Sequence, residues 1–172
     1  MSKIHTSADI RVVLTDANIV INFIHIHCLA ILGKLPGYEF VVPDEVVREV
    51  TDHEQRQLLQ AAIDSGALRA ITIDDLATLK LFAELLAIMG SGEAACLSLA
   101  QSHRWLIASD EKRVFRREVL ARLGPNRIIN TAGILLLAIR AGALMVDDAD
   151  RMKAELERHR FRMPFASFRD LL

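Results

Sequence analysis

The sequence predicts an α/β fold, a three-layer sandwich whose central, mainly parallel sheet of about five short strands carries helices on both faces. Short β-branched runs alternate along the chain with stretches of helical periodicity, which is typical of parallel strands joined by helical crossovers. The strands are continuous apolar runs rather than alternating ones, as burial on both faces of a sheet requires. No Asn-Gly pair marks a hairpin between antiparallel strands.

Five runs rich in Val, Ile, Leu and Ala predict the strands. Each is followed by a stretch long enough for a helical crossover, and Gly or Pro interrupts several of these stretches. In chain order, the predicted strands cover residues 11–15, 40–42, 68–73, 105–108 and 128–129.

Apolar residues that recur every three or four positions predict the helices. Pro43 with Asp44 opens one helix, Gly66 ends the next, and Ser91 is expected to cap another. In chain order, the predicted helices cover residues 17–32, a stretch from 44, 54–65, 76–89, 91–102, a stretch after 110, 131–141 and a polar stretch from 147.

Length and composition predict one domain over residues 1–172, with a C-terminal helix and tail, residues 147–172, packed on it. Of the 172 residues, 52% are hydrophobic and 25% charged, which excludes a disordered chain and a small disulfide scaffold. The 21 Lys and Arg nearly balance the 22 Asp and Glu, so the net charge of -1 does not favour non-specific adhesion to nucleic acid. Any nucleic-acid role must come from a local site.

The cysteines and the apolar runs predict a cytoplasmic protein. Cys28 and Cys96 lie in apolar stretches outside any metal-ligand spacing, which is typical of reduced cysteines in a cytosolic protein. The longest apolar run, residues 19–32, is broken by Asn22 and two histidines, so no membrane span is expected.

Four acids fall near the carboxyl ends of the predicted strands, where open parallel sheets bind ligands. Asp16 directly follows the first strand, Glu49 lies on the helix after the second, Glu93 opens the helix before the fourth, and Asp110 follows the fourth. Carboxylates that converge in one crevice repel one another unless a cation lies among them, and oxygen ligands select Mg²⁺ or Mn²⁺. This pattern indicates metal-assisted phosphodiester hydrolysis.

The ordered segments VVLTDANIVINF, VVPDEVVREV, GSGEAACLSLA and LIASDEKR resemble the PIN-domain fold of metal-dependent ribonucleases. The resemblance covers nearly the whole chain. With the later segment IINTAGILLLAIRAGAL, the sequence is most similar to the toxin-like, VapC-type branch of single-domain prokaryotic proteins.

This resemblance implies residue roles and partners. The family's four acids fall on Asp16, Glu49, Glu93 and Asp110, of which Asp16, Glu93 and Asp110 would be the main metal ligands and Glu49 would help through water. Small polar residues that orient the acids or metal-bound water fall on Asn18, Ser109 and Thr131. The implied substrate is single-stranded or structured RNA, the implied cofactor is Mg²⁺ or Mn²⁺, and the implied partners are a small antitoxin and a second copy of the chain.

Two assignments among the acids stay open in the sequence. Asp44 and Glu45 lie closer to the end of the second strand than Glu49, although helix capping explains Asp44, and the family match favours Glu49. Glu111 is either a fifth acid at the rim of the site or a residue of a helical first turn, where the helix dipole favours an acid. The second interpretation of Glu111 is preferred.

Three other functions compete. The segment from Gly90 to Ala95 fits a G-x-G-x-x-A dinucleotide fingerprint, but such a fingerprint must follow a strand, and helical periodicity precedes this one. A phosphoacceptor receiver domain would use Asp74 or Asp75 after the third strand and a Lys near the fifth, which is absent. A PIN-like module that binds RNA or protein without cutting is the third alternative.

Basic residues follow Asp110 in a stretch that ends near Arg127. Lys112, Arg113 and Arg116 are predicted to contact the RNA backbone beside the acidic pocket, and the competing interpretation is an ordinary solvated helix face. The histidines show no spacing of zinc ligands and are interpreted as surface or core-edge residues. The Phe- and Arg-rich tail is expected to cover an edge or dimer face rather than to stack bases.

Overall fold

The computed structural model describes residues 9–172, which form five strands and eight α-helices. The strands are β1 (Arg11–Thr15), β2 (Tyr38–Pro43), β3 (Arg69–Ile71), β4 (Leu106–Ala108) and β5 (Ile128–Ile129). The helices are α1 (Ala17–His25), α2 (Asp44–Glu49), α3 (His53–Asp64), α4 (Leu76–Leu85), α5 (Ser91–His103), α6 (Val114–Leu123), α7 (Thr131–Arg140) and α8 (Val146–Arg158).

All five strands pair in parallel, in the order β3-β2-β1-β4-β5. Helices α1, α3 and α8 pack together in one layer, and α5 packs with α4 and α6 in the other. The predicted three-layer α/β fold with its parallel sheet is therefore confirmed.

The core lies on both faces of the two central strands. Val13 and Leu14 of β1 and Ile107 of β4 have no exposed surface. Helix α5 is buried over most of its length, because it crosses behind β1 and β4 as well as packing on two helices. This burial holds the ends of β1 and β4 in a fixed relation, since neither strand can slide without opening the core.

The long helix predicted over residues 17–32 is wrong in its second half. Helix α1 stops at His25, His27 adopts a left-handed conformation with φ 52°, and a 3-10 helix follows over Leu29–Lys34. The amides of His27 and Cys28 bond back to the carbonyls of Ile24 and Phe23, each at 2.9 Å, which is the pairing of a Schellman C-cap. Glycine usually occupies this position, so the sequence offered no stop signal.

Two other boundaries differ from the prediction. The third strand spans only Arg69–Ile71 of the predicted 68–73, because an edge strand pairs on one side alone. The basic stretch after Asp110 is not one helix, since α6 begins only at Val114 and leaves Lys112 and Arg113 in a loop.

The Phe-rich tail packs on α8. Phe168 is fully buried and meets Phe165 edge to face, with ring centroids 5.0 Å apart. Asp150 of α8 accepts hydrogen bonds from the Ser167 hydroxyl and the Phe168 amide. The prediction that the tail packs on the rest of the chain holds for this part, whereas the expected sheet edge or dimer face is not what it covers. No helix within residues 9–172 is long and apolar enough to cross a bilayer.

Candidate active site

The ends of β1 and β4 form the crevice in which the predicted acids lie. The chain leaves β1 toward β2 on one side, and β4 lies on the other, so the strand order reverses between β1 and β4. The amide of Asp16 donates to the carbonyl of Ala108 at 3.0 Å, which continues the sheet to its last residues. Asp16 and Asp110 therefore flank the topological switch point, where open α/β sheets bind ligands.

Asp16 is a buried carboxylate with several donors. Its Oδ1 caps α1 by accepting from the Ala17 amide at 2.7 Å, and its Oδ2 accepts from the Asn18 amide group at 3.1 Å and the Ser109 hydroxyl at 3.0 Å. Only 3% of the residue is exposed. Burial raises the pKa of Asp16 to about 6, against the lowering effect of its hydrogen bonds, and the charges of Glu93 and Glu49 raise it further.

Asp110 is held by α1 and α7. Its Oδ1 accepts from the Thr131 amide at 3.0 Å, and its Oδ2 accepts from the Thr131 hydroxyl and from Asn22 Nδ2, the latter at 3.0 Å. Burial raises the pKa of Asp110, hydrogen bonds from Thr131 and Asn22 oppose this, and Glu111 adds to it. No cationic side chain bonds to this carboxylate among the residues that the structure describes.

Asn18 joins the two strand ends. Its Nδ2 donates to Asp16 Oδ2 and to Glu111 Oε1, both at 3.1 Å, and its Oδ1 accepts from the Asp110 amide at 3.2 Å. The preferred interpretation of Glu111 as a helical first-turn residue is wrong, because Glu111 lies in the loop before α6. Its carboxylate belongs to the acidic crevice, as the alternative held.

Glu49 and Glu93 form the opposite wall of the crevice. Glu49 Oε1 accepts from the Gly92 amide at 2.7 Å and from the Ser91 hydroxyl at 2.9 Å, so the first turn of α5 binds this carboxylate as helix N-termini bind anions. Ser91 is thus the first helical residue and not the predicted cap. Glu93 Oε2 accepts from the Gly90 amide at 3.2 Å, and burial, Glu111 and Glu49 raise the pKa of Glu93.

Asp44 and Glu45 take other roles. Asp44 begins α2 without capping it, because its carboxylate accepts from the Thr72 hydroxyl at 2.6 Å beyond the edge strand β3. The capping explanation of Asp44 is therefore wrong. Glu45 lies 3.5 Å from Arg48 within the same helix. Neither residue adds to the pKa of Asp16 or Asp110, whereas Glu49 does add to that of Asp16.

The chemistry of these donors suits a hard divalent cation, although their placement is not that of a finished ligand sphere. Among residues 9–172, no three His, Cys, Asp or Glu side chains are grouped closely enough to hold one ion. Every candidate ligand is nevertheless a carboxylate oxygen, and the deepest of them, Asp16, is buried without a cation beside other acids. A divalent ion would remove the repulsion that raises the pKa of Asp16.

The three basic residues predicted near the acids do not share one surface. Lys112 lines a groove of about 590 Å³ together with Asp110 and Glu111. Arg113 is exposed in the same loop, with φ 58°. Arg116 instead lines a separate cavity near Arg127 on the far side of α6.

Comparison with known families places this geometry. A family model described as a PIN domain matches residues 12–172, which contain all four predicted acids. The chain belongs to the PIN-domain family. No curated protein matches it. PIN domains are generally nucleases, which favours a hydrolase.

The PIN-domain topology excludes the receiver alternative. Receiver domains have the strand order 2-1-3-4-5, whereas the order here is 3-2-1-4-5. Asp75 caps α4 by accepting from the Thr78 amide at 2.8 Å and follows the edge strand, away from Asp16. The dinucleotide fingerprint also fails, because Gly90 and Gly92 follow α4 rather than a strand, and Glu49 already occupies the amide of Gly92.

Asn22 is the site residue that sequence reasoning missed. It is 8% exposed, and its Nδ2 donates to both Asp110 Oδ2 and, at 3.2 Å, the Thr131 hydroxyl oxygen. Its signal was present as the polar residue that interrupts the apolar run of 19–32. A buried amide on an apolar helix needs a hydrogen-bond partner, and the nearest acids are the natural ones.

Replacing Thr131 by Val is expected to raise the pKa of Asp110 further, because a hydrogen bond that favours the charged carboxylate is lost. At pH 8 the free energy of unfolding should fall by about 2 kcal/mol, the order of one hydrogen bond to a charged group. Carbon-detected NMR titration of the carboxyl group and chemical denaturation measure the two effects. Thr131→Ser keeps the hydroxyl and is the control; an unchanged Asp110 titration in Thr131→Val contradicts the assignment.

Proposed function

We propose that this PIN domain is a Mg²⁺- or Mn²⁺-dependent endoribonuclease and that residues 1–172 act as one nuclease unit. The observation that carries the proposal is the pair Asp16 and Asp110 at the switch point, each held by neutral donors and neither bonded to a cation within the described part of the chain. Buried carboxylates so arranged require a positive partner to remain ionised.

Asp16, Glu93 and Asp110 would hold the metal, and Glu49 would assist through water. The chemistry supplied by bound Mg²⁺ or Mn²⁺ is polarisation of the scissile phosphate and activation of an attacking water. The chain's own residues fix the carboxylates: Ser109 and Asn18 orient Asp16, and Thr131 and Asn22 orient Asp110. These neutral donors position the acids without neutralising them, as outer hydrogen bonds do around metal ligands.

RNA in single strands or loops is the proposed substrate. An unstacked strand can bring its phosphate to carboxylates at the bottom of a crevice, whereas a duplex presents a rigid, wider surface. Lys112, in the loop beside Asp110, lies where it can bind a flanking phosphate. Arg113 in the same loop is proposed as a second backbone contact, and Arg116, which lines a different cavity, as a more distant one.

The function is tested by incubating mixed RNA with Mg²⁺, Mn²⁺ or a chelator. Cleavage that requires the metal supports the proposal, and cleavage that persists in chelator contradicts it. RNA binding without cleavage under any divalent metal would favour the non-catalytic alternative.

A toxin role is the finer part of the proposal. It is supported by the similarity of the segments around Asp16 and Thr131 to the toxin-like branch and implies a small antitoxin that covers the acidic crevice in the cytoplasm. The homodimer is supported by apolar side chains left exposed on α4, of which Leu76 is 68% exposed. Growth arrest on expression, relieved by a co-expressed small neighbour, tests the first, and the mass in solution tests the second.

Replacing Gly92 by Ala is expected to reduce cleavage about tenfold, on the order of the loss of an outer hydrogen-bond partner. An added Cβ would lie 2.5 Å from Glu49 Oε2, so the carboxylate must leave its place on the α5 amide. The melting temperature should change little, because the side chain that moves is the flexible end of Glu49.

The matched control is Gly90→Ala, since a Cβ at Gly90 meets nothing within 4 Å. If Gly92 acts through Glu49, the double variant with Glu49→Gln should be no less active than Glu49→Gln alone. Additive losses in this cycle would contradict the role of Gly92 in seating Glu49.

A further inference from the structure

A groove beside the acidic crevice is lined by three separate parts of the chain. Asn22 and His25 come from α1, Lys112 from the loop after β4, and residues 159–162 from the segment that follows α8. Asp110 and Glu111 close one end, so the groove opens directly onto the proposed catalytic acids. We call it the C-terminal groove.

Positive charge in the C-terminal groove has no carboxylate partner. Within residues 9–172, the side chains of Lys112, Arg160 and Arg162 form no hydrogen bond or ion pair. The acids at the end of α8 are engaged elsewhere, because Glu155 pairs with Arg158 and His159, and Glu157 pairs with Lys153 at 2.8 Å. Several other exposed arginines, among them Arg117 and Arg151, are paired with neighbouring acids.

Two imidazole rings from distant parts of the chain stack in the C-terminal groove. The centroids of His25 and His159 are 3.8 Å apart, and their planes differ by 11°. Burial and the neighbouring His159 lower the pKa of His25, which favours the neutral ring. The stack therefore gives the groove a flat aromatic surface between its cationic side chains.

The backbone at Arg160 is held in a conformation that favours glycine. Arg160 has φ 64° at the Schellman end of α8, where the Phe161 amide bonds to the Leu156 carbonyl at 2.9 Å. A non-glycine residue there costs about 1 kcal/mol or more, so the arginine side chain is retained at an energetic cost. The turn brings Arg160 and Arg162 to the same groove.

We propose that the C-terminal groove binds the RNA strand that flanks the cleaved phosphate, an inference that rests on the proposed nuclease function. Arg160, Arg162 and Lys112 bind successive phosphates, and an unstacked base packs against the His25–His159 pair, as bases pack on aromatic side chains in other single-strand sites. Charge supports a polyanion as the occupant, and continuity with Asp110 supports the substrate strand rather than an acidic peptide.

The test measures binding of a labelled single-stranded RNA to the Asp16→Asn protein in chelator, by fluorescence anisotropy over a series of salt concentrations. Arg160→Gly combined with Arg162→Gln removes two cations while relieving the strained backbone, so the fold is retained. The slope of log affinity against log salt should fall by about 1.4, at about 0.7 per phosphate contact. Between 50 and 200 mM salt, the variant should then lose about sevenfold less affinity than its parent.

The control variant is Arg117→Gln combined with Arg151→Gln, which removes the same charge from two arginines that are already paired. Its slope should match that of the parent. Equal slopes for the groove variant and the control overturn the proposal. His159→Ala should weaken binding by about fivefold or more at every salt concentration, because a stacking contact is lost and no charge is removed; unchanged binding overturns the role of the imidazole pair.

Cleavage by the otherwise unaltered chain separates this inference from the proposed function. If that chain cuts RNA in Mg²⁺ but the groove variant binds like the control, the groove assignment fails and the nuclease stands. If that chain never cuts but the groove variant binds RNA with the lower slope, the nuclease fails and the groove stands. Displacement of the RNA by an oligoglutamate of equal charge at equal concentration would overturn RNA as the preferred occupant.

Discussion

Replacing Asp16 by Asn is expected to reduce metal-dependent RNA cleavage by about 10³-fold or more, because a metal held at this carboxylate is worth several kcal/mol in the transition state. The fold should persist, since Asn caps a helix as well as Asp does and can still accept the Ala17 amide. Asp110→Asn should have a loss of similar size. Gel assays of RNA cleavage under saturating Mn²⁺ measure both.

The matched control is Asp75→Asn, which alters another capping aspartate that lies at the far edge of the sheet. It should retain full activity. Cleavage by Asp16→Asn within tenfold of the unaltered chain would exclude Asp16 as a metal ligand, and a comparable loss in Asp75→Asn would show that the assay reports folding rather than chemistry.

The second large effect concerns stability without metal. The pKa of Asp16 is about 6 in the folded chain and 3.8 as a model value, so the folded state binds the proton more tightly than the unfolded state. Its contribution to stability is therefore fully present at low pH and is lost as the pH rises from about 4 to about 6. Above this window, ionised Asp16 costs about 3 kcal/mol, at 1.36 kcal/mol per pKa unit.

Asp16→Asn removes this cost, so the variant should exceed the unaltered chain in unfolding free energy by an amount that grows from pH 4 to 6 and then stays constant. The hydrogen bonds lost from Ser109 and Asn18 reduce the gain to about 1–3 kcal/mol at pH 7.5. Chemical denaturation in chelator at several pH values measures it. A difference that does not change with pH would contradict the buried, raised carboxylate.

Added Mg²⁺ or Mn²⁺ should reverse the order of the two proteins at pH 7.5. At a hundredfold excess over its dissociation constant, a ligand that binds only the folded state stabilises it by about 2.7 kcal/mol. The unaltered chain should gain this stability and Asp16→Asn should not, which is measured without any RNA. Equal stabilisation of both proteins would place the metal elsewhere.

The parts of the site that were predictable from sequence are those set by local patterns. Asp16 and Asp110 each follow an apolar strand, and the carboxyl ends of parallel strands share one edge, so their meeting needs only the strand assignment. Glu49 was predictable from the family match alone, because Asp44 and Glu45 fit the local pattern as well. Its selection depends on the α5 amide at Gly92, which is a tertiary contact.

The parts that were not predictable depend on contacts between distant segments. Glu111 was assigned to a helix because its neighbours are helix formers, but Asn18 holds it in the loop. His25 and His159 carry no shared pattern in the sequence, and they meet only because α8 packs on α1. The left-handed turn at His27 likewise has no signal, since histidine takes that conformation rarely.

The short outer strands limit how copies of this chain can associate. β5 spans two residues and β3 three, and Arg69 on β3 pairs with Glu39 of β2 at 2.6 Å, so each outer strand offers few free backbone groups and one edge carries charge. Such edges resist strand addition between molecules. A shared sheet running through two copies is thus disfavoured, and self-association that preserves the fold must use helix surfaces, which protects the chain from fibrous aggregation through its own sheet.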